Sequence, residues 1–167
     1  MIPETSDNGT VELYRCRRFP DAWVLEKVLA HDRAVDTTVW IEDGRYWFFT
    51  TTIDPSARAA FLWLFVADSL TGRWIRHPEN PISTDVRNAR GAGAIFRQNG
   101  KLYRPSQDCS GRYGRAFSLN EIATLTPERY AERPVRTVEP MPGFVGTHTY
   151  ARCGDIEMID ACALVRT

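Results

Sequence analysis

Val35-Asp-Thr-Thr-Val-Trp-Ile-Glu-Asp-Gly44-Arg-Tyr-Trp-Phe-Phe-Thr-Thr-Thr52 decides how the rest of the chain is read. Two runs of β-branched and aromatic residues flank Asp43-Gly44, where glycine tolerates the positive φ that a tight hairpin turn demands. Beyond a Pro/Ser/Arg loop, residues 61–67 (Phe-Leu-Trp-Leu-Phe-Val-Ala) form a continuous apolar run of strand length. Thr71-Gly72 then turns towards a further strand opened by Trp74. Four strands within residues 35–77 leave no room for a long helix and have the size of one blade of a β-propeller.

The pattern recurs. Ala94-Ile-Phe-Arg-Gln-Asn-Gly100 with Lys101 to Asp108, and Thr149-Tyr-Ala-Arg-Cys-Gly154 with Asp155 to Asp160, align with the first hairpin. Their turn glycines fall roughly 55 residues apart, each with an aromatic four residues earlier: Trp40, Phe96 and Tyr150. The opposing reading is a β-sandwich with unrelated hairpins. The spacing predicts an all-β fold of about a dozen strands with under a tenth helix. The expected organisation is a single propeller domain over residues 1–167: a back half-blade (1–30), whole blades (35–77 and 90–138) and a front half-blade (146–165). Within these, residues 11–18, 23–29, 114–122 and 130–138 are predicted strands, Gly91-Ala-Gly93 permits close backbone approach, and Thr126-Pro-Glu128 is a candidate cap for one helical turn.

Composition narrows the classes. At 167 residues and 43% hydrophobic the chain is long enough for a real core and is not disordered in character. Lys+Arg and Asp+Glu both number 21, so the electrostatic footprint of a nucleic-acid binder is missing. No apolar run reaches the ~18 residues of a membrane span, and the N-terminus lacks a signal-peptide pattern. Cys16, Cys109, Cys153 and Cys162 show neither zinc-site spacing nor a disulfide framework, which predicts reduced thiols and a cytoplasmic setting. No cofactor and no metal are expected.

Candidate chemistry gathers on the inner strands, which in propellers line the central channel. Asp36 stands eight residues before Gly44, where the other copies have Ala92 and Gly146; it either caps a turn or faces a ligand. Arg90, Arg104, Gln107 and Asp108 bring polarity to a strand whose counterpart is apolar. They are read as an internal Arg–Asp lock, as a fork for sugar or phosphate, or as both. His148, between two threonines, is a candidate acid/base or hydroxyl partner. Tyr113 is a candidate stacking ring, whereas Trp40 and Trp47 suit a core better. The expected catalytic candidates are Asp36, Asp108 and His148. The expected substrate-binding candidates are Arg90, Arg104, Gln107 and Tyr113, to which the resemblance described next adds Glu4; Asp36, Arg90, Arg104, Gln107, Asp108 and His148 are expected to converge on one end of the channel.

Ile2-Pro-Glu-Thr5, Leu13-Tyr-Arg-Cys-Arg-Arg-Phe-Pro-Asp-Ala-Trp23, Ala89-Arg-Gly-Ala-Gly93, Leu102-Tyr-Arg-Pro-Ser-Gln-Asp-Cys109, Tyr113-Gly114 and Gly146-Thr-His-Thr-Tyr150 occur in that order. Together they resemble the N-terminal domain of the glucosamine inositolphosphorylceramide transferase family and its bacterial relatives, over essentially the whole chain. The resemblance implies a five-bladed propeller akin to family-43 glycoside hydrolases, and Ala67-Asp-Ser-Leu-Thr-Gly-Arg-Trp74 is similar to a blade motif of that clan. It implies a carbohydrate-processing or carbohydrate-recognising domain related to glycolipid or polysaccharide synthesis, with a sugar, glycolipid or sugar-nucleotide ligand. If the domain is an enzyme, the implied chemistry is glycosyl transfer or glycoside hydrolysis; a non-catalytic interaction scaffold is the contrasting class. A hydrolase needs two carboxyl groups flanking one bond, and Asp36, Asp108 and Glu4 are the candidates. Transferase activity is implied to reside in a separate C-terminal domain. Relatives carry further blades before the Ile-Pro-Glu segment, so this chain reads as N-terminally truncated. An open arc is therefore expected, completed by a homodimer or by an upstream propeller segment.

Overall fold

The structure is a computed structural model, and it describes residues 1–56 and 59–164. It is all-β: thirteen strands and one 3-10 turn, Ser6–Asn8, among the described residues. The strands form four antiparallel sheets in chain order. The first is the hairpin β1 (Val11–Arg18) and β2 (Ala22–Ala30). The second contains β3 (Ala34–Glu42), β4 (Arg45–Asp54), β5 (Ala59–Ala67) and β6 (Ile75–Arg76), paired in that order. The third contains β7 (Arg90–Gly91), β8 (Phe96–Gln98), β9 (Lys101–Asp108), β10 (Ala116–Leu125) and β11 (Tyr130–Val138). Its order is β11-β10-β9-β7, with β8 also on β9. The last is the hairpin β12 (Tyr150–Cys153) and β13 (Ile156–Ile159).

The two-residue period of a strand sends alternate side chains to opposite faces, and the sheets stack through those faces. On β4 and β5, Trp47, Phe49, Leu62, Leu64 and Val66 face the third sheet, meeting Ala89, Ile95, Leu102 and Ile122. Phe48 and Phe65 take the other face and meet Val11, Leu29 and Ala30 of the first hairpin. On the third sheet, Phe117 and Leu119 point away from the second sheet and pack with Ala92, Phe96 and Tyr150 beneath the last hairpin. Leu64 is 0% exposed, so truncating it to alanine carries the cavity cost of about 2–5 kcal/mol typical of a core leucine. Trp47 is core, Trp40 packs against the same cluster, and the Phe96 and Tyr150 rings meet at a tilt, 5.4 Å between centres. The repeated aromatic before each turn glycine is thus an inter-sheet packing residue.

The third sheet departs from a continuous inner strand. β7 pairs with β9 through Gly91↔Ser106 and β8 resumes at Phe96↔Tyr103, so the break lies opposite Arg104 and Pro105. Proline has no N–H to give its neighbour. The Ala92 N–H still donates to Pro105 O, while Ala92 O accepts from Tyr150 N at 2.8 Å. The carbonyl that Pro105 cannot serve holds the last hairpin instead. Gly93 sits at this join with φ 151°, and a Cβ there would fall 1.9 Å from Tyr150 O. The expected helical turn at Thr126 is a strand-to-strand turn. Thr126 Oγ1 does accept from Arg129 N, as a cap would, but the chain enters β11 at once.

Candidate functional site

Asp36 lies at an irregularity in β3, where pairing with β4 shifts register between Val35 and Thr38, and its φ is +54°. A non-glycine residue in the left-handed region costs of order 1–3 kcal/mol, and bulges re-aim side chains. Here the bulge turns the carboxylate into the groove between the second and third sheets. Asp36 Oδ2 accepts from Arg90 Nε at 2.8 Å, and Oδ1 accepts from Gln107 Nε2 at 3.3 Å. The Asp36 N–H donates to Glu4 Oε2 at 3.3 Å. The approach of β7 depends on Gly91, whose added Cβ would lie 2.8 Å from Asp36 O. Burial pushes the Asp36 carboxyl above its ordinary range; Arg90 draws it back without cancelling the shift.

The far wall comes from the last hairpin. His148 Nδ1 meets Asp160 Oδ2 at 2.5 Å. Asp160 Oδ1 accepts the backbone N–H groups of His148 and Thr149, each at 2.7 Å. Burial works to raise the Asp160 carboxyl, but these donors outweigh it and hold it below the usual carboxylate range. With Nδ1 turned onto Asp160, Nε2 is the ring nitrogen of His148 left for another partner. Between the walls stands Tyr113, 62% exposed. The Arg90 guanidinium lies 5.0 Å from its ring centre, and the His148 ring meets it edge-on at 5.1 Å. The result is a cavity of about 430 Å³ lined by Asp36, Thr37, Thr38, residues 91–94, Gln107, Tyr113, His148 and Thr149. A smaller pocket of about 120 Å³ shares Asp36 and Thr37 with it and contains Glu4.

Five of the eight residues singled out from the sequence (Asp36, Arg90, Gln107, Tyr113 and His148) therefore meet here, with Glu4 adjoining. Arg104 and Asp108 do not. On β9 they share the parity of Leu102 and Ser106, which face the second sheet, whereas Gln107 has the opposite parity. Arg104 is 1% exposed and forks onto Glu132 at 2.6 and 2.8 Å, with Tyr130 Oη also donating to Glu132. Arg104 is thus paired with Glu132 inside its own sheet, whereas the Arg–Asp pair that joins two sheets is Arg90–Asp36. Asp108 pairs with Arg115 at 2.5 Å and accepts from Ser110. Burial opposes its charge, yet these partners keep it below the ordinary range. Asp160 escaped the sequence reading. Its signal is positional: it stands six residues past Gly154, where the earlier copies have the hydroxyls of Thr50 and Ser106. No group of three His, Cys, Asp or Glu side chains suited to a metal occurs among the described residues.

Stacked antiparallel sheets with a half-open polar cavity at their inner ends, one aromatic ring at its mouth and ion-paired walls, define an all-β domain with one candidate site. The chain belongs to the family described as glucosamine inositolphosphorylceramide transferase 1, N-terminal, whose model matches residues 1–143. It is 40% identical over 139 residues to the glucosamine inositolphosphorylceramide transferase 1 of Oryza sativa subsp. japonica, covering 81% of this chain and 19% of that protein. Against the protein of the same name from Arabidopsis thaliana it is 35% identical over 136 residues, covering 79% of this chain and 18% of the relative. The chain thus spans about a fifth of the length of these relatives. No solved structure matches it. Asp36, Arg90, Gln107 and Tyr113 fall inside the matched residues; His148 and Asp160 lie just beyond them.

Proposed function

We propose that this chain is a carbohydrate-facing propeller domain of the glycolipid-synthesis type, holding a sugar ring over Tyr113 with its hydroxyls on Asp36, Gln107 and His148. The observation that carries this reading is the convergence of an exposed aromatic ring with paired acceptors and donors around one cavity. Sugars present an apolar face for stacking and a rim of hydroxyls that both donate and accept. The relatives are named as transferases of a glycosylated lipid, which supports the same ligand class. Hydrolysis is the weaker variant: Asp36 and Asp108 sit on opposite sides of β9 and do not flank one bond, which leaves Glu4 as the carboxylate beside Asp36. The stacked sheets are read as successive blades around a shared channel, in an arc that a second copy or a further propeller segment completes. Four free thiols accord with a reducing, cytoplasmic setting.

Saturation-transfer NMR against neutral sugars, sugar nucleotides and glycolipid headgroups tests the reading. Saturable binding that Tyr113→Ala weakens at least tenfold is the expected result, and turnover of aryl glycosides would move the reading to hydrolysis. Absence of binding to every sugar and sugar nucleotide overturns it in favour of an interaction scaffold.

A further inference from the structure

Behind β9, on the face that Arg104 and Asp108 share, lies a separate cavity of about 310 Å³ that contains Asp85, Asp108, Ser118, Asn120 and Thr137. Asn120 is 0% exposed. Its Nδ2 donates to Arg104 O and to Ser106 Oγ, at 3.0 and 2.8 Å. Its Oδ1 has no partner among the described residues, and neither has Nη1 of Arg104, the residue paired with it across the sheet. A buried polar atom left unpaired costs about 1–3 kcal/mol, so the Asn120 acceptor in this cavity wall calls for a donor. The carboxylates at the rim carry no spare charge for a cation: Asp85 is held by Arg87 and Asp108 by Arg115. No aromatic ring lines the cavity, so nothing there stacks on a pyranose face.

We propose that this cavity is a second binding site, for a small neutral polyol whose hydroxyls donate to Asn120 Oδ1 and exchange hydrogen bonds with Ser118 and Thr137. A hydroxyl suits the wall because it is donor and acceptor at once. The volume lies at the lower end of ligand pockets, the size of a single alditol, cyclitol or monosaccharide. The site uses none of the residues of the Tyr113 cavity and stands whether or not that cavity takes a sugar. Its location explains why a strand with polar residues on both faces is tolerated in the middle of a sheet: each face of β9 serves a different cavity.

Amide-resolved NMR titration with xylitol, sorbitol and methyl pyranosides tests the proposal without any variant, because the Asn120 side-chain NH₂ pair reports the site directly. The expected result is a saturable shift of that pair and of the Asp85, Asp108 and Ser118 amides for at least one polyol. Thr137→Val, at an exposed position whose hydroxyl meets Ser118 Oγ at 2.9 Å, should weaken that binding roughly five- to tenfold, the effect of one lost hydrogen bond, and Thr137→Ser should restore it. Tyr113→Ala should leave it unchanged. Saturation confined to the amides of Asp36, Tyr113 and His148, or abolished by Tyr113→Ala, would show that polyols use only the first cavity and overturn the proposal. Non-saturating shifts with every polyol, meaning that water alone fills the cavity, would overturn it as well.

Discussion

Asp160 shows how much of the Tyr113 cavity depends on one side chain that touches no ligand in the proposed arrangement. Its carboxylate anchors two backbone amides and the His148 ring, so it sets both the direction of β12 and the nitrogen that His148 presents. Asp160→Asn keeps the shape but adds a donor where donors already converge. At neutral pH the variant should lose about 1 kcal/mol of stability, a modest figure because a third of the Asp160 side chain is solvated. The pH dependence has a definite sign. A carboxyl whose folded pKa is depressed stabilises the fold above its unfolded value near pH 4 and stops doing so as pH falls through the folded value. The difference in melting temperature between wild type and Asp160→Asn should therefore shrink to nothing in acid, and thermal melts from neutral pH downward check it. Residue type together with position in the repeat pointed to Asp36, Arg90, Gln107, Tyr113 and His148. Counting parity along Lys101 to Asp108 would also have separated Arg104 and Asp108 from Gln107, since a strand cannot send neighbours to the same face. Asp36 is the opposite case. Its inward aim comes from a bulge and a left-handed backbone, neither of which an aspartate announces in a sequence.

At the scale of elements, β1 and β11 run over the residues read as strands from their β-branched and aromatic content, Val11–Arg18 and Tyr130–Val138. Hairpin positions were legible for the same local reason: Asp43-Gly44 and Asn99-Gly100 place positive φ where the turn requires it. The division of the inner strand into β7 and β8 was not legible, because its cause, Pro105, acts across the sheet rather than along the chain. The same join yields a prediction. Gly93→Ala would put a methyl group on top of Tyr150 O and force alanine to φ 151°, a strain of about 1–3 kcal/mol before the clash is counted. The variant should release β12 from Ala92 while the second sheet stays intact. Hydrogen exchange checks it: the Tyr150 amide should lose protection while those of β4 and β5 retain it.

At the scale of the whole molecule, the outward face of the last hairpin carries an exposed apolar patch. Ala151 pairs with Met158 and Cys153 with Ile156, and all four are exposed, Met158 at 67% and Ile156 at 68%. Each earlier sheet buries an apolar face of this kind against its neighbour. Exposed apolar faces and open strand edges promote association. The purified chain should therefore dimerise or form larger species in size-exclusion chromatography with light scattering. Met158→Glu with Ile156→Lys should return it to a monomer without changing the fold. A wild-type chain that runs as a cooperatively melting monomer would argue for a compact ring in place of an open arc.

The hairpin that supplies His148 and Asp160 has every residue of β13 exposed and is fastened to the third sheet by Tyr150 and its hydrogen bond to Ala92. One wall of the cavity thus stands on a hairpin whose second strand is exposed throughout, while the other, built on β3, β7 and β9, belongs to the packed interior. A ligand spanning Asp36 and His148 would be a clasp as well as a cargo. At a hundredfold excess over its Kd, binding that requires the closed hairpin adds about 2.7 kcal/mol against opening, more than a single backbone hydrogen bond contributes. Protease resistance in the segment after Gly146 would then rise with occupancy, so the loaded and empty domain would present different C-terminal surfaces to whatever lies beside them.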